Sequence, residues 1–215
     1  MSFKVWGRRN SFNVQKVLWL LGELNLSYEH IPAGGTISKL DTPEFLELNP
    51  HGRIPVIDDH GKVIWESHTI LHYLAAQYGK PQFWSDDAGI RSDSDRWLDW
   101  FQTELQPVFF HKIFLAYYRT PEAKRDWTVI RQGIQYTKHL LSIVDRQLEG
   151  KQYLNGNHLT LADFGIGTLL HRYFNVDVER AELPNIAAYY QRLSQRPAYQ
   201  QHVQVSFSDL YGNLP

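Results

Sequence analysis

Two small polar side chains, Ser11 and Asn13, lie where a segment with apolar residues at helical spacing begins. A hydroxyl or an amide at a helix start can donate a hydrogen bond to an anion, and the helix dipole favours negative charge at the same place. Such donors could lower the pKa of a thiol that binds beside them. The plain structural alternative is that Ser11 only caps the helix.

The chain contains no cysteine. This absence excludes a disulfide framework, a cysteine nucleophile and a thiolate metal site. Any thiol chemistry would therefore use a thiol that a ligand brings.

A second polar pair, Glu66 and Ser67, stands at a predicted junction between a strand and a helix. The free backbone N–H groups and the dipole of a helix start suit a carboxylate. Ser67 could also be an ordinary helix cap, and the two roles are compatible.

The first eighty residues alternate between strand-like and helix-like patterns in the order βαβαββα. Asp41 is the predicted acidic cap of the second helix, with Pro43 in its first turn. The predicted ranges are strands 3–6, 28–31, 55–58 and 63–65 and helices 14–24, from 41, and 67–78 with a stop at Gly79.

After residue 80 the apolar pattern is helical throughout, which predicts a domain boundary between Gly79 and Asp86 and domains of 1–80 and 86–215. In the segment 160–163, Thr160 is predicted to cap a helix while Asp163 reaches back to it. The predicted helices are 91–118 with a bend near Pro107, 121–148, 159–174 and 184–195.

Two segments, LNPHGRIPVI at 48–57 and WESHTILHYL at 65–74, resemble the glutathione-binding half of cytosolic glutathione transferases. Residues 11–18 resemble the start of the first helix of that family, and residues 159–164 resemble a hallmark of its C-terminal domain. The likeness is to serine-type members such as the bacterial theta-, beta- and nu-like classes. It implies an α/β thioredoxin-like N-terminal domain, an all-α helical C-terminal domain and glutathione as co-substrate.

The resemblance implies how glutathione is held. A cis Pro55 turns the backbone of Ile54 toward the cysteinyl unit, which an extended peptide can meet by strand pairing. Glu66 takes the γ-glutamyl ammonium and Ser67 its carboxylate. The candidates for the glycyl end are Lys39, His51 and Arg53.

The resemblance leaves two candidates for thiol activation. Ser11 resembles the catalytic serine of theta-like and delta-like classes, and the early loop lacks the tyrosine of tyrosine-type members. Ser11 and Asn13 together also resemble the Thr-x-Asn arrangement of a bacterial branch with disulfide-bond reductase activity. An asparagine amide can donate to a thiolate as a hydroxyl can.

Several functions follow from these patterns. The first is conjugation of glutathione to a small hydrophobic electrophile, with Trp100, Phe101 and Tyr117 as candidates for the apolar wall that holds it. The others are glutathione-dependent disulfide reduction, isomerisation of a maleyl-type substrate, and a non-catalytic module that binds glutathione or a partner.

The balance of 22 basic and 23 acidic residues gives no sign of a nucleic-acid or membrane partner. His68 and His72 share a helix face, but the metalloprotease pattern is incomplete, so both are interpreted as ordinary helix residues and no metal is expected. The N-terminus does not read as a signal peptide, so we expect a cytoplasmic protein. The family leads us to expect a homodimer.

Overall fold

The computed structural model describes residues 3–214, and the chain divides into two compact units. The first unit contains the residues up to Asp86 together with Pro197–Val205, and the second contains Asp87–Arg196 together with the residues from Ser206 onward. The C-terminal segment 197–205, which the predicted boundary placed with the helices, thus belongs by contact to the first unit.

The first unit is built on a four-stranded mixed sheet in the order β2-β1-β3-β4. β1 pairs parallel with β2 and antiparallel with β3, and β3 pairs antiparallel with β4. The strands are β1 (Lys4–Trp6), β2 (Glu29–Ile31), β3 (Val56–Asp59) and β4 (Lys62–Trp65), and the helices are α1 (Phe12–Glu23), α2 (Pro43–Leu48) and α3 (Ser67–Tyr78). This confirms the predicted order βαβαββα.

Helix α1 is the most buried helix of the first unit. Its residues Val14, Val17, Leu18 and Leu21 are fully buried, as their helical spacing predicted. The short helix near the C-terminus, residues 197–202, packs on α1, where the ring of Tyr199 meets that of Trp19 edge-on at 4.9 Å. This contact is the physical reason why the segment belongs to the first unit.

The turn between β3 and β4 and the start of α2 each have a clear local cause. His60 and Gly61 form the β3–β4 turn with φ of 54° and 99°, which matches the positive values that a tight hairpin turn requires. Helix α2 is capped by Thr42, whose hydroxyl accepts from the Phe45 N–H at 3.3 Å. The prediction of Asp41 as the cap was therefore wrong by one residue.

The second unit is helical throughout its named elements. Its α-helices are α4 (Ala88–Trp100), α5 (Gln106–Phe109), α6 (Trp127–Gln147), α7 (Ala162–Asn175) and α8 (Pro184–Ser194), and the short C-terminal helix of the first unit is α9 (Pro197–His202). Two π-helical stretches, Phe101–Leu105 and Phe110–Arg119, lie on either side of α5, which contains Pro107. The bend was predicted near Pro107, because proline cannot donate a backbone hydrogen bond, and the structure has π-helical turns on both sides of that residue.

The predicted capping box before α7 is half present. The carboxylate of Asp163 reaches back and accepts from the Thr160 N–H at 2.8 Å, as predicted. The Thr160 hydroxyl does not cap the helix but lies 3.3 Å from the same carboxylate, to which it donates. Asp163 is fully buried and also accepts from the Tyr189 hydroxyl at 2.7 Å. It therefore binds the helix start to α8.

Within residues 3–214 no helix combines the length and the apolar character that crossing a bilayer requires.

Candidate functional site

The ends of the four strands form one row across the sheet of the first unit. Trp6 of β1 is in register with Ile31 of β2 and with Val56 of β3, and Val56 is in register with Trp65 of β4. Neighbouring strands lie about 4.8 Å apart, so this row gathers distant parts of the sequence. It brings together the segments that were predicted to bind a ligand.

Each predicted segment adjoins this row. The loop that ends at Ser11 follows β1, and Pro55 immediately precedes β3. Glu66 and Ser67 immediately follow β4. The peptide bond between Ile54 and Pro55 is cis, as the resemblance implied.

Ser11 occupies the N-cap position of α1, but its side chain makes no capping hydrogen bond. Its backbone N–H donates to the Arg8 carbonyl at 3.0 Å, which closes a turn, and its side chain is half-buried. The hydroxyl is therefore not committed to the helix backbone. Asn13 lies half-buried in the first turn of the same helix.

The loop before Pro55 is held by Asn49, for which the sequence suggested no separate role. Its buried side-chain amide donates to the Arg53 carbonyl at 2.8 Å, and its carbonyl oxygen accepts from the His51 N–H at 3.0 Å. An asparagine that bonds to the backbone two residues on is a known turn former. The Asn-Pro pair within the 48–57 motif was the signal for this function.

The candidates for the glycyl end lie on two adjoining loops. A Cβ atom at Gly52, where φ is 62°, would lie 3.0 Å from the carbonyl oxygen of Leu40, so the two backbones touch. Lys39 precedes Leu40 and His51 precedes Gly52, and both side chains are exposed. The close approach of these loops brings Lys39 and His51 to one region. Arg53, on the second loop, is also exposed.

Glu66 has a backbone conformation that side chains rarely adopt, with φ of 69° and ψ of 118°. Such a conformation costs about 1–3 kcal/mol and is common at functional sites. The Glu66 side chain is exposed and makes no capping bond, whereas Ser67 begins α3 and is 4% exposed. The strained backbone places the carboxylate directly beside the start of α3.

A buried pair beneath these helix starts was missed by the sequence analysis. The Nζ atom of Lys16 in α1 lies 3.0 Å from Nε2 of His68 in α3. Burial lowers the pKa of Lys16 to about 7, against a smaller opposing effect of Glu66. Burial, then Lys16 and then His72 lower the pKa of His68 to about 2. A lysine within the apolar run of α1 was the signal that could have indicated such a contact.

The predicted apolar wall lies in the second unit, and one of its three residues is misplaced. Phe101 is fully buried, and a Cβ atom on Gly165 of α7 would meet its ring at 2.6 Å. It is a core residue, so its assignment to a ligand wall is corrected. Trp100 is half-buried and meets Trp97 edge-on at 5.4 Å.

Tyr117, the third predicted wall residue, is half-buried under a cation. The Arg125 guanidinium lies 4.3 Å from the centre of its ring and donates to the Tyr211 hydroxyl at 3.0 Å. Burial is the main cause that raises the pKa of Tyr117. Over residues 3–214 no group of three or more histidine or acidic side chains is placed to hold a metal ion.

Two family models match this chain. The model described as "Glutathione S-transferase, N-terminal domain" matches residues 1–76, and that described as "Glutathione S-transferase, C-terminal domain" matches residues 105–197.

Individual relatives agree with these matches. The chain is 34% identical to glutathione S-transferase GstB of Escherichia coli, over 95% of this chain and 99% of the relative. It is 27% identical to the transcriptional regulator URE2 of Saccharomyces cerevisiae, over 91% of this chain and 66% of the relative.

A solved structure extends the likeness to the fold. The theta-class glutathione S-transferase of the citrus canker pathogen Xanthomonas axonopodis pv. citri, with glutathione bound, superposes with a TM-score of 0.90 at 38% identity and covers 96% of this chain and 99% of that chain. The α/β thioredoxin-like sheet and the helical C-terminal region are those of this architecture. The chain therefore belongs to the cytosolic glutathione S-transferase family.

Proposed function

We propose that the protein activates the thiol of glutathione as a thiolate, which attacks a small hydrophobic electrophile. The observation that carries this proposal is the state of Ser11: it stands at the positive end of α1, and its hydroxyl makes no capping bond. The hydroxyl can donate to a sulfur anion and so favour it over the thiol. Two similar proteins support the same function. One is named glutathione S-transferase GstB, and the other is a theta-class glutathione S-transferase solved with glutathione bound.

The row of strand ends supports a definite arrangement of glutathione. The backbone beside the cis bond of Ile54 and Pro55 pairs with the cysteinyl unit. Glu66 binds the γ-glutamyl ammonium, and the first N–H groups of α3 with the Ser67 hydroxyl bind the carboxylate. Lys39 and His51, with Arg53 beside them, bind the glycyl carboxylate.

The chemical gain comes from the thiolate population. A thiol with the reference pKa of about 8.5 is roughly 3% ionised at pH 7, and a decrease of about two units raises that fraction roughly 20- to 25-fold. The thiolate then displaces a leaving group from an electrophilic carbon or adds across a double bond. Holding both reactants together contributes further rate.

The experiment compares turnover of an aryl halide by wild type, Ser11→Ala and Ser11→Thr. We expect Ser11→Ala to lose about 10- to 100-fold in kcat/KM, because the donor to the sulfur is gone. Ser11→Thr keeps a hydroxyl and should retain most of the activity. Equal activity of all three proteins would contradict the assigned role of Ser11.

Glutathione-dependent disulfide reduction is the second candidate, favoured by the position of Asn13 in the first turn of α1. Since the chain has no cysteine, the reducing thiol would come from glutathione: its thiolate attacks the glutathionyl sulfur of a mixed disulfide, oxidised glutathione forms and the other thiol leaves. Turnover of a mixed glutathione disulfide by wild type and Asn13→Ala tests this candidate. A faster rate than on the aryl halide, lost in Asn13→Ala, would favour the reductase.

A non-catalytic binding module is the third candidate, because one relative is named a transcriptional regulator. The intact set of Ser11, Pro55, Glu66 and Ser67 favours an enzyme. Tight glutathione binding with an unchanged thiol pKa would favour the module.

We further propose that the protein is a homodimer. β4 is an outer strand of the sheet and Trp65 on it is 39% exposed. An open groove of about 450 Å³ runs beside this strand, lined by Lys62, Val63, Ile64, Trp65, Glu66, Thr69 and Tyr73. Sedimentation of wild type and Trp65→Glu tests this, since a charge in a buried interface should yield monomers.

The second substrate and the cellular location complete the proposal. Trp100 and Tyr117 remain the candidates for an apolar wall, because both keep part of their rings exposed. A cytoplasmic location stays a prediction.

A further inference from the structure

The contact between Lys16 and His68 has an unusual chemistry for a protein interior. Lys16 is 1% exposed and His68 is 7% exposed, and both are bases. A lysine ammonium has only donors, so at 3.0 Å the Nε2 atom of His68 is the acceptor and the ring is neutral. A neutral histidine solvates the ammonium but does not neutralise its charge.

The burial of Lys16 makes its charge sensitive to the surroundings. With a pKa of about 7, the group changes its charge close to neutral pH. On α3 His68 contacts it directly and His72 acts on His68, and Glu66 acts on Lys16 from the junction before α3. On α9 the histidine His202 lies against Gly22, which is about 9 Å of helix rise from Lys16.

The contact of Lys16 with His68 joins α1 and α3 close to the starts of both helices, where the proposed site lies. Lys16 lies in the second turn of α1, with its amine 5.7 Å from the centre of the Phe12 ring, and Ser11 occupies the N-cap position of the same helix. Its partner His68 directly follows Ser67 in α3. A thiolate at Ser11 and a carboxylate at Ser67 would both bring negative charge toward the ammonium, and a nearby opposite charge favours the charged form.

We propose that Lys16 takes up a proton when glutathione binds and is the buried counter-charge of the bound thiolate and γ-glutamyl carboxylate. This inference rests on the proposed function. The proton comes from solvent, while the glutathione thiol releases its own proton to solvent. Lys16 is thus a positioning residue that acts through charge, without touching the reacting sulfur.

The test uses S-methylglutathione, which has no thiol proton to release. Binding heats measured in two buffers of different ionisation enthalpy give the number of protons taken up. If the ligand raises the lysine pKa by about one unit, wild type should take up roughly half a proton per ligand near pH 7.5. In Lys16→Met the uptake should fall to nearly zero.

His51, a titratable side chain proposed to bind the glycyl carboxylate, provides the control. His51→Gln should bind more weakly but keep the uptake, because the proton goes to Lys16. Equal uptake by wild type and Lys16→Met, or binding to wild type without uptake, would overturn this inference alone. The absence of any binding heat with glutathione and with S-methylglutathione would overturn the proposed function and this inference with it.

A second measurement applies if Lys16→Met does not fold. In wild type labelled with ¹³C at lysine Cε, one lysine should titrate near pH 7, and S-methylglutathione should raise its midpoint by about one pH unit. An unchanged midpoint in the presence of bound ligand would overturn the inference.

Discussion

Helix α3 is held by polar contacts at both ends, and the two contacts are of opposite kinds. At its N-terminal end, His68 meets the amine of Lys16 at 3.0 Å. In its C-terminal half, the hydroxyls of Tyr73 and Tyr78 donate to one oxygen of Asp59 at 2.7 and 2.5 Å. The second contact joins two donors to a charged acceptor, whereas the first joins two bases.

The difference separates a contact that stabilises the fold from one that we propose responds to a ligand. Hydrogen bonds to a charged group contribute about 1.5–3 kcal/mol each, so the contact of Asp59 with the two tyrosines stabilises the fold in the absence of any ligand. The burial of Lys16 costs free energy whenever the amine is protonated. Such a cost is typical of a functional site. The positive φ of Glu66, just before α3, also costs free energy in the folded state.

The largest expected effect is on the pH dependence of stability at the Lys16 end. The pKa of Lys16 is about 7 in the fold and 10.5 for an ordinary lysine, so the unfolded chain binds more protons between these values. Wild-type stability should therefore rise through this window by about 1.4 kcal/mol per pH unit, relative to Lys16→Met. Urea unfolding from pH 7 to 10 measures it. Lys151→Met, at an exposed position outside the proposed interface, should show no such difference.

The next effect tests the opposite end of α3. Asp59→Ala should lower the free energy of unfolding by about 2–4 kcal/mol, because two tyrosine hydroxyls lose their charged acceptor. The affinity for glutathione should remain within about twofold of wild type, since Asp59 is outside the proposed site. Urea unfolding and binding calorimetry give the two values, with Asp99→Ala at an exposed position as the control. If Asp59→Ala lost much of its affinity for glutathione and none of its stability, the two ends of α3 would not differ in function as described.

A third prediction concerns the strained junction before α3. Glu66→Gly and Glu66→Ala should both weaken glutathione binding by roughly 10- to 100-fold, because the acceptor of the γ-glutamyl ammonium is lost. Only glycine relieves a φ of 69°, so Glu66→Gly should be the more stable of the two by about 1 kcal/mol. Calorimetry and thermal unfolding test both parts. Unchanged affinity in both variants would contradict the role of Glu66.

The smallest effect is at Tyr78. Tyr78→Phe removes one of two hydrogen bonds to Asp59 and should cost about 1.5 kcal/mol, at the low end for a bond to a charged group because Tyr78 is 36% exposed. Burial and then the bond to Asp59 raise the pKa of Tyr78 to about 12, above the ordinary value of 10. Its contribution is therefore complete below pH 10 and is lost as the pH rises toward 12. Unfolding at pH 8 and 11 should show a smaller difference from wild type at the higher pH.

The same contrast explains what the sequence could and could not predict. The bounds of α3, 67–78, were predicted as found, because Ile70, Leu71 and Leu74 repeat on one face. The contact of Lys16 with His68 joins residues 52 apart, and no local pattern shows which distant side chains will meet. His68 was consequently interpreted as an ordinary helix residue.

The second unit was less predictable in detail. Its helical character followed from periodicity, but the π-helical turns around Pro107 depend on hydrogen-bond register, which residue types do not show. Phe101 and Trp100 are adjacent aromatic residues, and only packing against Gly165 makes the first of them core. The glutathione motif could be recognised because it requires particular residues at fixed positions. An apolar wall requires only hydrophobic surface.

The most direct test of the account is the thiol pKa of bound glutathione, followed by thiolate absorbance against pH in wild type, Ser11→Ala and Asn13→Ala. We predict a thiol pKa lowered by about two units from 8.5 in wild type and in Asn13→Ala, and a return toward 8.5 in Ser11→Ala. A lowered pKa that persists in Ser11→Ala and is lost only in Asn13→Ala would contradict this prediction.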